Sequence, residues 1–303
     1  MKKYLVLGIL LIILGVVVMQ KETVLQFYYK YILQKPVQVT LEKNQYYRDY
    51  DFKYVQNTED FSPNDKQEII NIFYTAINSG QKTFTFYCPN RYKDCTQDVE
   101  ELANDQTLLS HINNFVHPYN GFKHIETEYD SLGQVTIRVY KNYTNEEIRA
   151  INEKVDNIYQ QIVVDDDSDQ NKIKIIHDYI INHSKYDSLR SDQNIVNYKS
   201  DIAYGPLFEG YALCGGYTDA MELFLEKMGL KSYKISSENH VWNAVYLDGK
   251  WYHLDLTWDD PVTTNGSDVL EHNFFLIQTN ELNEIETEQH IFDLNIYQEM
   301  KEA

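Results

Sequence analysis

Residues 210–261 read GYALCGGYTDAMELFLEKMGLKSYKISSENHVWNAVYLDGKWYHLDLTWDDP. After Cys214, the residues Tyr217, Ala220, Met221, Phe224, Leu225 and Met228 recur at helical spacing, and Gly229 stops the pattern. This predicts an amphipathic helix with Cys214 at its N-terminal edge. Gly215 and Gly216 leave room for another backbone to approach there. A helix N-terminus carries partial positive charge and unpaired N–H groups, which favour thiolate over thiol and suit an oxyanion.

The second half of the stretch predicts a hairpin. HVWNAVYL and KWYHLDLTW flank Asp248 and Gly249, a pair suited to a type I′ turn between alternating strands. That two-residue turn pairs Leu247 with Lys250 and sets Trp242 opposite Asp255. His240 then lies diagonal to Asp255 on the same sheet face, within reach of an imidazole–carboxylate contact. A one-residue slip would separate them. If the Cys214 helix packs on that face, a thiol, a base and an orienting carboxylate meet: His240 takes the thiol proton, Asp255 fixes the tautomer and Cys214 attacks a carbonyl.

Gly210 to Gly216 with its helix, followed by NHVWNAVYLDGKWYHLDLTWDDP, resembles the transglutaminase-like superfamily of papain-type thiol enzymes in its bacterial form. The upstream IHDYIINHSKYD and AYGPLFEG and the downstream HNFFLIQTNEL are similar to it too, so the likeness covers about residues 170 to 280. The resemblance implies Cys214 as nucleophile, His240 as general base and acid, and Asp255 as third member. It also implies an α+β fold in which the cysteine-bearing helix packs on an antiparallel sheet.

Around these three, Gly215, Trp242, Glu209, Tyr211 and Asp259 are candidate substrate or oxyanion neighbours. For Trp242 the competing reading is a core aromatic, for Glu209 and Tyr211 a solvent-facing loop, and for Asp259 a bond to nearby backbone. His253 shares the His240 face and reads as cross-strand packing. A metal hydrolase built on His240, His253 and Asp255 leaves Cys214 unexplained, so no metal or cofactor is expected. A silent member of the fold, acting as a surface binding or scaffold module, is the alternative from another class.

Earlier in the chain, Lys2 and Lys3 precede the uncharged apolar run YLVLGILLIILGVVVM, Tyr4 to Met19. Residues 1–20 are therefore expected to be an uncleaved signal anchor, N-terminus inside and body outside. Residues 21–60 read as a stalk with an entry strand at Val37 to Lys43. Residues 61–143 read as a small α/β subdomain. It comprises a helix entered at Ser62, Pro63 and Asp65 and stopped at Gly80, a strand at Thr83 to Tyr87, a helical stretch from Thr96 to Phe115, and a hairpin turning at Asp130 to Gly133. Residues 144–303 form the catalytic domain, opened by a Thr144–Glu147 capping box. Asp165, Asp167 and Asp169 alternate as in a calcium loop, but Gln170 and Ile176 occupy positions that would need Gly and Glu, so capping of the next helix by Ser168 is the preferred reading. His177 and His183 read as packing residues of that helix.

The 303 residues carry a formal charge of −19, which argues against a protein built to grip nucleic acid. Of three cysteines, Cys88 and Cys95 are close enough for a short-loop disulfide, with reduced thiols as the alternative, and Cys214 stands alone. A disulfide suits an outside address. The expected partner is a protein or peptide substrate, with cell-wall or surface proteins suggested by that address.

Overall fold

The computed structural model describes residues 15, 23–24, 28, 39–130, 133–164, 167–262, 269–285 and 288–302. The apolar run at Tyr4 to Met19 therefore lies outside the described residues apart from Gly15, and Asp165 of the calcium-like pattern lies outside them too. Among the described residues no helix is long and apolar enough to cross a membrane.

The first unit opens with α1 (Lys66–Asn78), whose N-cap Asp65 accepts from Glu68 N, and Gly80 beyond it adopts φ +77°. Strand β1 (Thr83–Tyr87) follows as predicted. The expected long helical stretch is two helices, α2 (Cys95–Asn104) and α3 (Gln106–Asn114). Asp105 divides them: its side chain accepts from Leu108 N, so it caps a new helix instead of continuing the old one. The hairpin β2 (Phe122–Tyr129) and β3 (Gln134–Lys141) completes an antiparallel sheet of order β1-β3-β2. Cys88 and Cys95 are disulfide-bonded.

The Thr144–Glu147 capping box is present and starts α4 (Asn145–Ile162). Ser168 caps α5 (Asp169–Asn182) by accepting from Asn171 N. A short parallel pair, β4 (Lys185–Tyr186) and β5 (Tyr211–Ala212), with α6 (Ser188–Gln193) between them, leads to α7 (Cys214–Lys227). A four-stranded antiparallel sheet then runs in chain order: β6 (Ser232–Ser236), β7 (Val241–Leu247), β8 (Lys250–Leu254) and β9 (Phe275–Ile277), with α8 (Thr279–Ile285) after it.

Both faces of this sheet are covered. Tyr233, Ile235, Trp242 and Ala244 join the apolar cluster of the first unit, with Phe73, Phe86, Phe115, Ile137 and the late residues Tyr297 and Met300. Val245, Leu247 and Leu254 join the cluster of α4, α5 and α7. The expected boundary between residues 143 and 144 thus does not divide the core, because the first unit packs directly on the second sheet.

The stalk reading of 21–60 is corrected for its described part. Residues 39–43 form no strand, and Phe52 and Val55 are buried in the first cluster. Arg48 is buried as well and bonds Glu222 in the middle of α7. Apolar residues at 52 and 55 without strand alternation are enough to pull this segment into the body.

Candidate functional site

Asp248 and Gly249 both take positive φ, 51° and 84°, and the register runs from Leu247↔Lys250 to Asn243↔Leu254 as predicted. His240 precedes β7 by one residue and Asp255 follows β8 by one, so both sit at the same end of the hairpin. His240 Nε2 lies 2.5 Å from Asp255 Oδ2. Behind them, Trp242 stacks on the His240 ring with centroids 5.5 Å apart.

The helix is not on that face, contrary to expectation. Helix α7 packs on the Asn243, Val245 and Leu247 face, where Asn243 Nδ2 donates to Thr218 O at 3.1 Å. Thr218 Oγ1 in turn lies 3.1 Å from Val241 O, which pins the second turn of the helix to the start of β7. The first turn therefore projects beyond the sheet's end, where His240 is. Cys214, the first residue of α7, lines the same cleft as His240 there, close enough for its sulfur to act on the electrostatics of the ring. The amphipathic reading of α7 was also too narrow, for Asp219 and Glu222 are buried along with its apolar residues. Each is paired: Lys234 Nζ bonds Asp219 at 2.9 Å, and Arg48 Nη2 bonds Glu222 at 2.5 Å.

Gly215 and Gly216 make the close approach possible. A Cβ on Gly216 would stand 2.3 Å from Ser200 O, and one on Gly215 would stand 2.8 Å from Asp201 O. The N–H groups of this first turn have no acceptor inside the helix.

Burial works against a charged His240, yet the Asp255 carboxylate and the Cys214 sulfur overcome it and push its pKa up to about 10. Burial would raise Asp255, but His240 and His290 hold its carboxyl far below the usual range. Its other oxygen accepts from Thr257 N at 2.9 Å and Trp258 N at 3.3 Å.

Cys214 and His240 open on a cleft of about 600 Å³. It is lined by α3, through Gln106, Thr107, Ser110 and His111, by residues 236–241, and by Ile291 to Asp293. The first unit thus contributes directly to the site, which nothing in its sequence pattern indicated.

The remaining candidates are placed elsewhere. Trp242 is fully buried and donates to His253 Nδ1 at 2.9 Å, so it underlies the site instead of lining it. Asp259 is equally buried: Oδ1 accepts from Phe274 N at 3.0 Å and Oδ2 lies 3.1 Å from His177 Nε2. It ties the turn after Asp255 to α5. His177, at the other end of that contact, is a bonded core residue, and His183 stacks on Tyr179. Glu209 accepts from Lys199 N, and Tyr211 stacks on Tyr198; neither is among the residues lining the cleft.

His253 Nε2 bonds Thr279 Oγ1 at 3.0 Å, and burial pushes its pKa down to about 3, so it is engaged away from His240 and Asp255. Among the described residues two groups have ligand atoms close enough to share a cation: His177, Asp178 and His272, and His240, Asp255 and His290. In both the atoms already bond one another, and Lys174 Nζ also sits on Asp178 at 2.5 Å.

Residues 156–256 match the profile of the transglutaminase-like superfamily. They form a transglutaminase-like domain. Members of that superfamily are generally cysteine-dependent acyltransferases or proteases. Among solved structures, a crystal structure of a TGase is 18% identical over 48% of this chain and 48% of its own, with a TM-score of 0.33. A candidate cysteine protease from Cytophaga hutchinsonii is 14% identical over 48% of this chain and 65% of its own, with a TM-score of 0.29. The chain thus covers less than two thirds of either structure. No curated protein matches the sequence. The transglutaminase-like segment holds Cys214, His240 and Asp255, but neither α3 nor residues 291–293.

Proposed function

We propose that the chain is an extracytoplasmic, membrane-tethered thiol enzyme that acts on amide bonds through an acyl-enzyme on Cys214. The observation that carries this is that Cys214 and His240 line one cleft, with His240 bonded to Asp255 behind it. A His240 kept protonated at neutral pH is the partner a thiolate needs. The Cys214 sulfur attacks the amide carbonyl carbon, and the N–H groups of the first turn of α7 face the oxygen as it gains charge. As the C–N bond breaks, His240 gives its proton to the leaving amine. His240 then takes a proton from water or a second amine, which attacks the thioester and releases Cys214. Asp255 holds the ring in the required tautomer throughout.

The address rests on Lys2 and Lys3 before the apolar run and on the Cys88–Cys95 disulfide, which suits an oxidising compartment. From that address, surface proteins or wall peptides are the proposed substrates. Iodoacetamide should alkylate Cys214 stoichiometrically near neutral pH, and His240→Ala should abolish the fast reaction. A Cys214 that reacts no faster than a free thiol would sink the enzyme reading. A mixed peptide library, weighed by mass with and without a primary amine, separates cleavage, deamidation and amine incorporation.

A further inference from the structure

Asp255 has a second histidine. His290 Nε2 lies 2.8 Å from Asp255 Oδ2, the same oxygen that His240 bonds. With Thr257 N and Trp258 N on Oδ1, four donors meet a carboxylate that has about four lone-pair sites. Asp255 is 2% exposed, so water does not readily replace a missing donor. His290 is 4% exposed and is itself fixed, stacked on Phe274 at 5.1 Å with the rings of Trp242 and Trp258 at 4.8 and 5.2 Å. It enters from the C-terminal segment whose next three residues line the cleft.

We propose that His290 is a positioning residue: it clamps Oδ2 of Asp255 so that the carboxylate stays aimed at His240. The inference rests on the thiol-enzyme reading for its kinetic consequence but not for its geometry. Two backbone donors hold Oδ1 alone, which leaves the carboxyl free to turn about that edge. His240 and His290 together fix the other oxygen. A histidine that only filled space would be replaceable by any ring of similar size. One that acts through its N–H would be replaceable only by a donor reaching the same point, which glutamine supplies.

The test compares His290→Phe, His290→Gln and His240→Ala in the full chain. His290→Phe should slow alkylation of Cys214 about tenfold, the scale of one lost hydrogen bond to a charged group. His290→Gln should recover most of the rate, and thermal unfolding of both variants should show an intact fold. Wild-type rates in His290→Phe, or equal slowing in both variants, overturn the proposal. Proton NMR of histidine-labelled protein supplies the second readout. The downfield N–H resonance of His240, identified by its absence in His240→Ala, should shift or exchange faster in His290→Phe and return in His290→Gln. An unchanged resonance overturns the proposal even if Cys214 proves inert, whereas an inert Cys214 with a shifted resonance sinks only the enzyme reading. Should His290→Phe not fold, the same two readouts on His290→Ser decide.

Discussion

Glu222 sits fully buried in the middle of the helix that begins with Cys214, and Arg48 reaches it from the segment before α1 with a 2.5 Å bond from Nη2 to Oε1. Arg48 also donates from Nη1 to Phe115 O at 3.0 Å, so one guanidinium joins the early segment, the end of α3 and the cysteine-bearing helix. Arg48→Ala should cost about 3–5 kcal/mol, because it leaves a carboxylate buried without its partner. Arg48→Met combined with Glu222→Leu should recover most of that loss. Chemical denaturation of the two variants checks both, and equal stability of single and double variants would reject the pairing as the cause.

The His240–Asp255 pair predicts a pH dependence with a definite sign. His240 is raised to about 10, so its contribution to stability is fully present below its unfolded pKa of about 6.5 and is lost as pH rises toward 10. Asp255 is depressed, so its contribution is present above about 3.9 and is lost as pH falls below that value. The stability gap between wild type and His240→Gln should therefore be widest between about pH 4 and 6.5 and should shrink steadily through pH 9. Urea titrations at pH 5, 7 and 9 measure it, and a gap that grows with pH would contradict the charge assignment.

Gly216→Ala sets helix propensity against space. Alanine favours an exposed helix interior by about 1 kcal/mol over glycine. Here its methyl would meet backbone, Ser200 O at 2.3 Å, which cannot swing aside as a side chain would. The variant should lose about 1–3 kcal/mol net and should slow Cys214 alkylation, since the displaced turn is the one bearing the sulfur. A stabilised Gly216→Ala protein would show that the contact yields.

The sequence made the hairpin legible because Asp248 and Gly249 accept the left-handed φ values that fix register, and register alone brought His240 to Asp255. The capping box at Thr144 and the Cys88–Cys95 bridge were legible for the same reason, as short-range chemistry. The face carrying α7 was not. A helix buried all round shows no clean polar side, and Asp219 and Glu222 look like solvent positions until Lys234 and Arg48 appear beside them. His290 could not be read either. It lies 35 residues beyond Asp255, belongs to no periodic element, and reaches its partner only through tertiary folding.

The cleft's outer walls, α3 and residues 291–293, come from stretches on either side of residues 156–256. On the proposed function, the reacting atoms and part of the substrate-facing surface would thus lie on different pieces of chain. If the cleft receives the substrate, exchanges at Gln106, Thr107 or Ile291 should change selectivity while the sulfur, ring and carboxylate stay untouched. Chimeras that trade only those flanks would alter what is recognised and leave intact how it is attacked.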